Sequence, residues 1–136
     1  MISRIWHGWT RTSDADTYEG MLRAEVLPGI HRIPGYFGAY LLRREVGNEV
    51  EFVTITRFTD LDAVRAFAGE DFTRAVIHPP ARELLLRFDE RSVHYETILT
   101  PHEVREIASR GPTAAPAARS APGPESARSG PPPSGP

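Results

Sequence analysis

The chain has 136 residues, 40% hydrophobic and 25% charged, the composition of one soluble globular domain rather than of a multidomain enzyme. Against 18 acidic residues stand 16 basic ones, a net charge of -2, which excludes the counterion-release binding of nucleic acid. Cysteine is absent and every basic residue is Arg, so disulfides, thiolate metal sites, cysteine nucleophiles, Schiff-base lysines and the P-loop lysine are excluded. No apolar run approaches the roughly 18 residues of a membrane span, and no signal-peptide pattern opens the chain, so the expected location is the cytoplasm without a membrane partner.

In chain order, Ser3 to Thr12 is rich in β-branched and aromatic residues and predicts a strand, followed at Ser13 by a helix cap. Tyr18, Met21, Leu22, Val26 and Ile30 form one helical stripe, which Pro28 should end or kink near Leu27. Pro34-Gly35 marks a turn; Tyr36 to Val46 and Glu49 to Phe58 then form a hairpin across Gly47-Asn48. Thr59-Asp60-Leu61-Asp62 starts a second helix with the stripe Leu61, Val64 and Phe67, ended by Gly69. Phe72 to Ile77 reads as a turn or two of helix, interrupted by Pro79-Pro80 and resumed from Ala81 to Arg87, and Arg91 to Leu99 as the last strand. The order β-α-β-β-α-β predicts an α+β, ferredoxin-like domain over residues 1–100, a four-stranded antiparallel sheet with both helices on one face. Thr100-Pro101-His102-Glu103 is a capping box that opens a short helix over 101–110. From Gly111 to Pro136, 22 of 26 residues are Pro, Gly, Ala or Ser, the composition of a disordered tail.

Neither face of the sheet is polar. Val53 and Ile55 share one parity with Ile5, His7 and Trp9, while Phe52, Phe58 and Trp6 lie on the other. Two helices cover one face only, so the other needs a second protein surface, and a homodimer packed sheet on sheet is the economical solution. The expectation is that the Ile5, His7 and Trp9 side faces the helices, and that Trp6, Phe52 and Phe58 are the residues a dimer covers.

R-I-W-H-G-W (4–9), I-P-G-Y (33–36), E-F-V-T-I-T-R-F (51–58), D-A-V-R-A-F-A-G (62–69) and V-H-Y-E-T (93–97) together resemble the antibiotic biosynthesis monooxygenase family of dimeric α/β-barrel proteins. The resemblance covers residues 2–98. It implies a ferredoxin-like subunit, a barrel closed across the dimer, and a ligand cavity between sheet and helices in each subunit. It also implies one of two chemistries, cofactor-free oxygenation of aromatic substrates or haem degradation. The haem-degrading branch has an Asn on the first strand, a Trp on the second helix and a later His on iron; here His7 or a neighbour, Phe67 and His78 stand in those regions.

A cofactor-free oxygenase needs a base, donors for the resulting anion and a dry pocket around a small phenolic or quinol-type ligand. On the expected facing, His7 is a candidate base and Trp9 a cavity wall with one N–H donor; His78, where Pro79-Pro80 breaks the helix, is the second candidate. Arg57 and Tyr95 are candidate ligand contacts, and Phe67 candidate lining. His94 and Glu96 share a strand face and could form half a metal site, but the sequence supplies no second half, so no metal is expected. There is no G-x-S-x-G, P-loop, H-E-x-x-H or dinucleotide-binding glycine run. The reading is therefore a cofactor-independent monooxygenase-like homodimer acting on a small aromatic ligand, with a non-catalytic ligand-binding or accessory dimer and a haem-binding protein as the alternatives.

Overall fold

The structure, a computed structural model, describes residues 1–111. The long strand β1 (Ile2–Arg11) runs through the middle of an antiparallel sheet. On one side it pairs along its whole length with β3 (Glu49–Phe58), which pairs in turn with β2 (Tyr36–Val46). The hairpin lies where the alternation predicts it, with Gly47 at φ 63° in the turn, a conformation that favours glycine. The other side of β1 is covered by two short strands, β4 (Leu85–Phe88) against Gly8 to Thr10 and β5 (Val93–Glu96) against Ile2 to Ile5. The sheet therefore has five strands: the last strand predicted over 91–99 is β5, and β4 lies in residues read as helix.

That placement corrects the sequence reading of residues 72–87. A single helical turn, α4 (Pro79–Arg82), follows the prolines, and the chain then leaves helix for β4, because the ten residues of β1 present more unpaired backbone groups than β5 alone can satisfy. Phe72 to Ile77 is turn and extended chain rather than helix, joined to the segment before β5 by an Arg74–Arg91 bridge. Between β4 and β5, Asp89 N–H donates to the His7 carbonyl at 2.9 Å.

The first helical region opens with a 3-10 turn at Thr12–Asp14, so Ser13 lies inside that turn and α1 (Ala15–Met21) has no side-chain cap. Pro28 does not end the helical path. A π turn at Leu22–Val26 carries it into α2 (Leu27–Ile30), re-routing backbone bonds in the stretch that the proline ring would otherwise block. The second long helix, α3 (Leu61–Ala68), is capped by Asp60, whose Oδ1 accepts from Ala63 N–H at 2.9 Å, and ends at Gly69 with φ 90°.

The helices cover the opposite face from the one expected. Arg4, Trp6, Gly8 and Thr10 are the buried residues of β1, and Trp6, Phe52 and Phe58 are core, not dimer surface. Tyr18 meets Phe52 edge-on at 4.8 Å in one cluster, and Phe58 stands between Tyr36 and Phe67 in the other. The larger aromatic set goes under the helices because it can fill the space beneath them. Ile5, His7, Trp9, Val53 and Ile55 are left on the open face with Tyr40, Leu42, Val93 and Tyr95, each of the last four about half exposed.

A second unit begins at Leu99, and within it α5 (Pro101–Ser109) opens on the Thr100–Glu103 capping box. The tail expected from Gly111 lies, over 112–136, outside the described residues. Among the described residues no helix is long and apolar enough to cross a membrane.

Gly8 is where β1 cannot carry a side chain: a Cβ there would sit 2.5 Å from the Trp6 ring and 2.9 Å from Leu85 Cδ2. Gly8→Ala should therefore destabilise the domain by about 1–3 kcal/mol through overpacking, measured as a lowered urea midpoint. An unchanged midpoint would mean that Trp6 does not lie over this glycine.

Candidate functional site

Along β3 the helix-facing side chains run Phe52, Thr54, Thr56, Phe58, large, small, small, large. Over the two threonines the helices have too little side chain to meet, and a cavity of about 420 Å³ remains between the two core clusters. Trp6 and Tyr18 wall one side and Phe67 another. Gly29, Ile30 and Ile33, with Val76 to Pro79, supply much of the rest. Besides the Tyr18 hydroxyl and the Trp6 indole of the walls, its polar side chains are Arg4, Thr54, Thr56, Ser92 and His78, with no Asp or Glu among the described lining residues.

Arg4 is the unusual member of that set. It sits opposite Thr56 on β3 and His94 on β5, and only 4% of its surface is exposed. Its Nη1 donates to the Phe72 carbonyl and, at 3.0 Å, to His94 Nε2; its Nη2 donates to the Arg74 carbonyl at 2.9 Å. The guanidinium also lies 5.5 Å from the Phe67 ring centre. These are neutral acceptors and a ring face, and no carboxylate neutralises the charge among the described residues. Burial lowers the Arg4 pKa to about 10, so the group stays cationic at neutral pH. Since a guanidinium has donors only, His94 Nε2 must be the unprotonated nitrogen. Burial, and then the Arg4 charge, hold the His94 imidazole below its usual pKa.

The two carbonyls that accept from Arg4 are fixed by the turn after α3. Ser92 N–H donates to the Thr73 carbonyl at 2.6 Å, Ala75 N–H to the Glu90 carbonyl at 2.9 Å, and Arg91 clamps Asp71 at 2.7 Å. Ser92 itself is 4% exposed, and its Oγ is the buried side-chain polar atom without a hydrogen-bond partner among the described residues. Such a group costs about 1–3 kcal/mol when left unmade.

Of the residues singled out in the sequence, His78 and Phe67 line the cavity. His7, Trp9, Arg57 and Tyr95 do not. They stand on the open face of the sheet, because the parity that includes Ile5 and Val53 points away from the helices. There His7 Nδ1 donates to Asp89 Oδ2 at 2.7 Å, the His7 and Trp9 rings stack at 6.2 Å, and Arg87 lies 4.7 Å over the Trp9 ring. Arg4 and Ser92 were missed. The signal for Arg4 was present: a charged residue at the parity shared by Trp6 and, across the strand pair, by Phe58. Among the described residues no cluster of three or more His, Asp or Glu side chains could hold a metal ion, and His94 Nε2 is occupied by Arg4. The imidazole on the cavity lining, His78, is the ligand type haem takes.

No family model matches the chain, and no curated protein does. Solved structures do. An antibiotic biosynthesis monooxygenase is 21% identical over 73% of this chain and 100% of its own, with a TM-score of 0.53. SnoaB, a cofactor-independent oxygenase from Streptomyces nogalater, is 22% identical over 74% of this chain and 96% of its own, with a TM-score of 0.51. MhuD, a haem degrader from Mycobacterium tuberculosis, with two manganese protoporphyrin IX bound per active site, is 18% identical over 74% and 97%, with a TM-score of 0.53. At these identities the likeness is one of fold: the chain has the α+β fold of antibiotic biosynthesis monooxygenase structures.

The Arg4–His94 bond makes stability depend on pH. The unfolded imidazole titrates near 6.5 and the folded one lower, so below 6.5 the unfolded chain binds the extra proton and stability falls as pH falls toward the folded value. His94→Gln keeps an acceptor for Arg4 without a titrating group, and its urea midpoint should fall less between pH 7.5 and 5.5 than that of the wild type. Parallel falls in the two proteins would show that His94 is not held neutral.

Proposed function

We propose that the protein is a cytoplasmic homodimer whose subunits each take a small phenolic or quinol-type aromatic ligand into the cavity between sheet and helices and oxygenate it without a bound cofactor. The observation that carries this reading is the cavity: about 420 Å³, walled by Trp6, Tyr18 and Phe67, with a few polar groups on an apolar lining. Its size falls in the range of about 300–1,000 Å³ typical of small-molecule sites. In this reading the substrate supplies the electrons. His78 accepts the phenolic proton, dioxygen bonds to a ring carbon that carries one hydrogen, and that hydrogen is lost as the O–O bond breaks. One oxygen stays as a carbonyl and the other leaves as water, so phenol and dioxygen give quinone and water. The apolar walls keep bulk water from the peroxide stage.

The open face supports the dimer. Tyr40, Leu42, Val93 and Tyr95 are each about half exposed beside Ile5, Val53 and Ile55, and uncovering one large apolar side chain costs about 1.5–3 kcal/mol. His7 with Asp89, Trp9, Arg57 and Tyr95 belong to that surface in this reading, as interface rather than catalytic groups. His78 on the lining supports a second reading, in which His78 would hold a haem bound in the cavity and the haem would supply iron redox chemistry.

Light scattering should give twice the 15.1 kDa chain mass, and Leu42→Glu should give the single mass; a wild-type monomer at micromolar concentration would refute the dimer. With a panel of hydroxynaphthalenes and anthrone-type phenols in an oxygen electrode, the wild type should consume one dioxygen per substrate, and His78→Ala should slow this by about 10²–10⁴-fold. Ligand binding without oxygen uptake would leave a non-catalytic binding protein, and a Soret band formed with added haem and lost in His78→Ala would favour the second reading.

A further inference from the structure

Resting on the reading of the cavity as a small-molecule site, we propose that Arg4 and Ser92 form an anion subsite within it, and that the phenolic ligand is also an aromatic acid, held by its carboxylate. Among the described residues, the cavity lining carries a guanidinium and no Asp or Glu. The acceptors on Arg4, two backbone carbonyls and the neutral His94 Nε2, orient the guanidinium without cancelling its charge. They use both N–H groups of Nη1 and one of Nη2, which leaves Nε–H and one N–H on Nη2, adjacent nitrogens, with no acceptor among the described residues. Ser92, two residues before His94 on the same parity and only 4% exposed, adds a buried hydroxyl without a partner among the described residues.

A carboxylate answers all of these at once. It brings the missing negative charge, its two oxygens accept two donors of one guanidinium side by side, and a lone pair remains for the serine hydroxyl. A neutral aromatic ligand leaves the charge and the donors as they are. A phenolate supplies the charge through a single oxygen. Thr54 and Thr56 shape the floor beneath the ring system, and Trp6 and Phe67 its walls, so the aromatic body and the acid group have separate places in one cavity.

The probes are 1-naphthoate, its methyl ester and 1-naphthol, each titrated into the full-length protein at pH 7 and followed by calorimetry. The wild type should bind naphthoate at least about tenfold more tightly than the ester, as charge-assisted bonds to a buried guanidinium require, and naphthol no better than the ester. Ser92→Ala should weaken naphthoate several-fold and leave the ester unchanged. Arg4→Gln should abolish the preference; if that variant does not fold, Ser92→Ala alone decides. Equal affinity for acid and ester, tighter binding of naphthol than of naphthoate, or a naphthoate preference indifferent to Ser92→Ala would each overturn the carboxylate subsite while leaving the cavity as a binding site. Binding of none of the three probes would overturn both.

Discussion

A guanidinium taken out of water without a countercharge is costly, and acceptors placed on its donors offset that cost only as far as they reach. Arg4 is held under these terms on the helix-facing side of β1, by the Phe72 and Arg74 carbonyls, by His94 Nε2 and by the Phe67 ring face. Each contact depends on a different part of the fold. The carbonyls depend on the turn after α3 being bridged to the segment before β5, the imidazole on the β1–β5 register, and the ring on α3 lying across the sheet. Shifting β5 by one residue against β1 would turn His94 to the other face and remove the acceptor.

The same strand alternation separates two chemistries. On the covered face, aromatic residues bracket two threonines, and the volume those threonines fail to fill becomes the cavity. On the open face, branched aliphatics, Tyr40 and Tyr95 share the surface with the His7–Asp89 pair and the Trp9–Arg87 stack. A histidine oriented by a carboxylate has the look of a general base, yet here it stands on the sheet face away from the cavity. Position decides whether such a histidine can reach the cavity, and position follows from parity.

Much of this fold was legible in the sequence. The hairpin ends, the Gly47 turn, the Asp60 cap and the capping box at Thr100 are local features, set by residues within a few positions of one another. The facing of the sheet was not legible in the same way. Both parities of β1 and β3 are apolar, so the choice between Val53 with Ile55 and Phe52 with Phe58 rests on which set fills the space under the helices, a tertiary property. The site residues followed that choice: His78 and Phe67, read from the helices and the proline break, line the cavity, whereas His7, Trp9, Arg57 and Tyr95, read from strand parity, do not. Strand β4, in residues read as helix, was hidden for a similar reason, since Leu84 to Leu86 carries no periodicity of its own and is drawn into the sheet by the unpaired edge of β1.

The two tryptophans report the two faces independently. Trp6 lines the cavity, with its indole N–H donating to the Asp89 carbonyl at 2.7 Å, while Trp9 lies on the open face beside His7. The most direct measurement is therefore a titration of ¹⁵N-labelled protein with 1-naphthoate, following the two indole N–H resonances assigned by Trp9→Phe. The account predicts that the Trp6 resonance shifts in a saturable way while Trp9 stays in place. A saturable shift of Trp9 with Trp6 unmoved would place the ligand on the open face and contradict it.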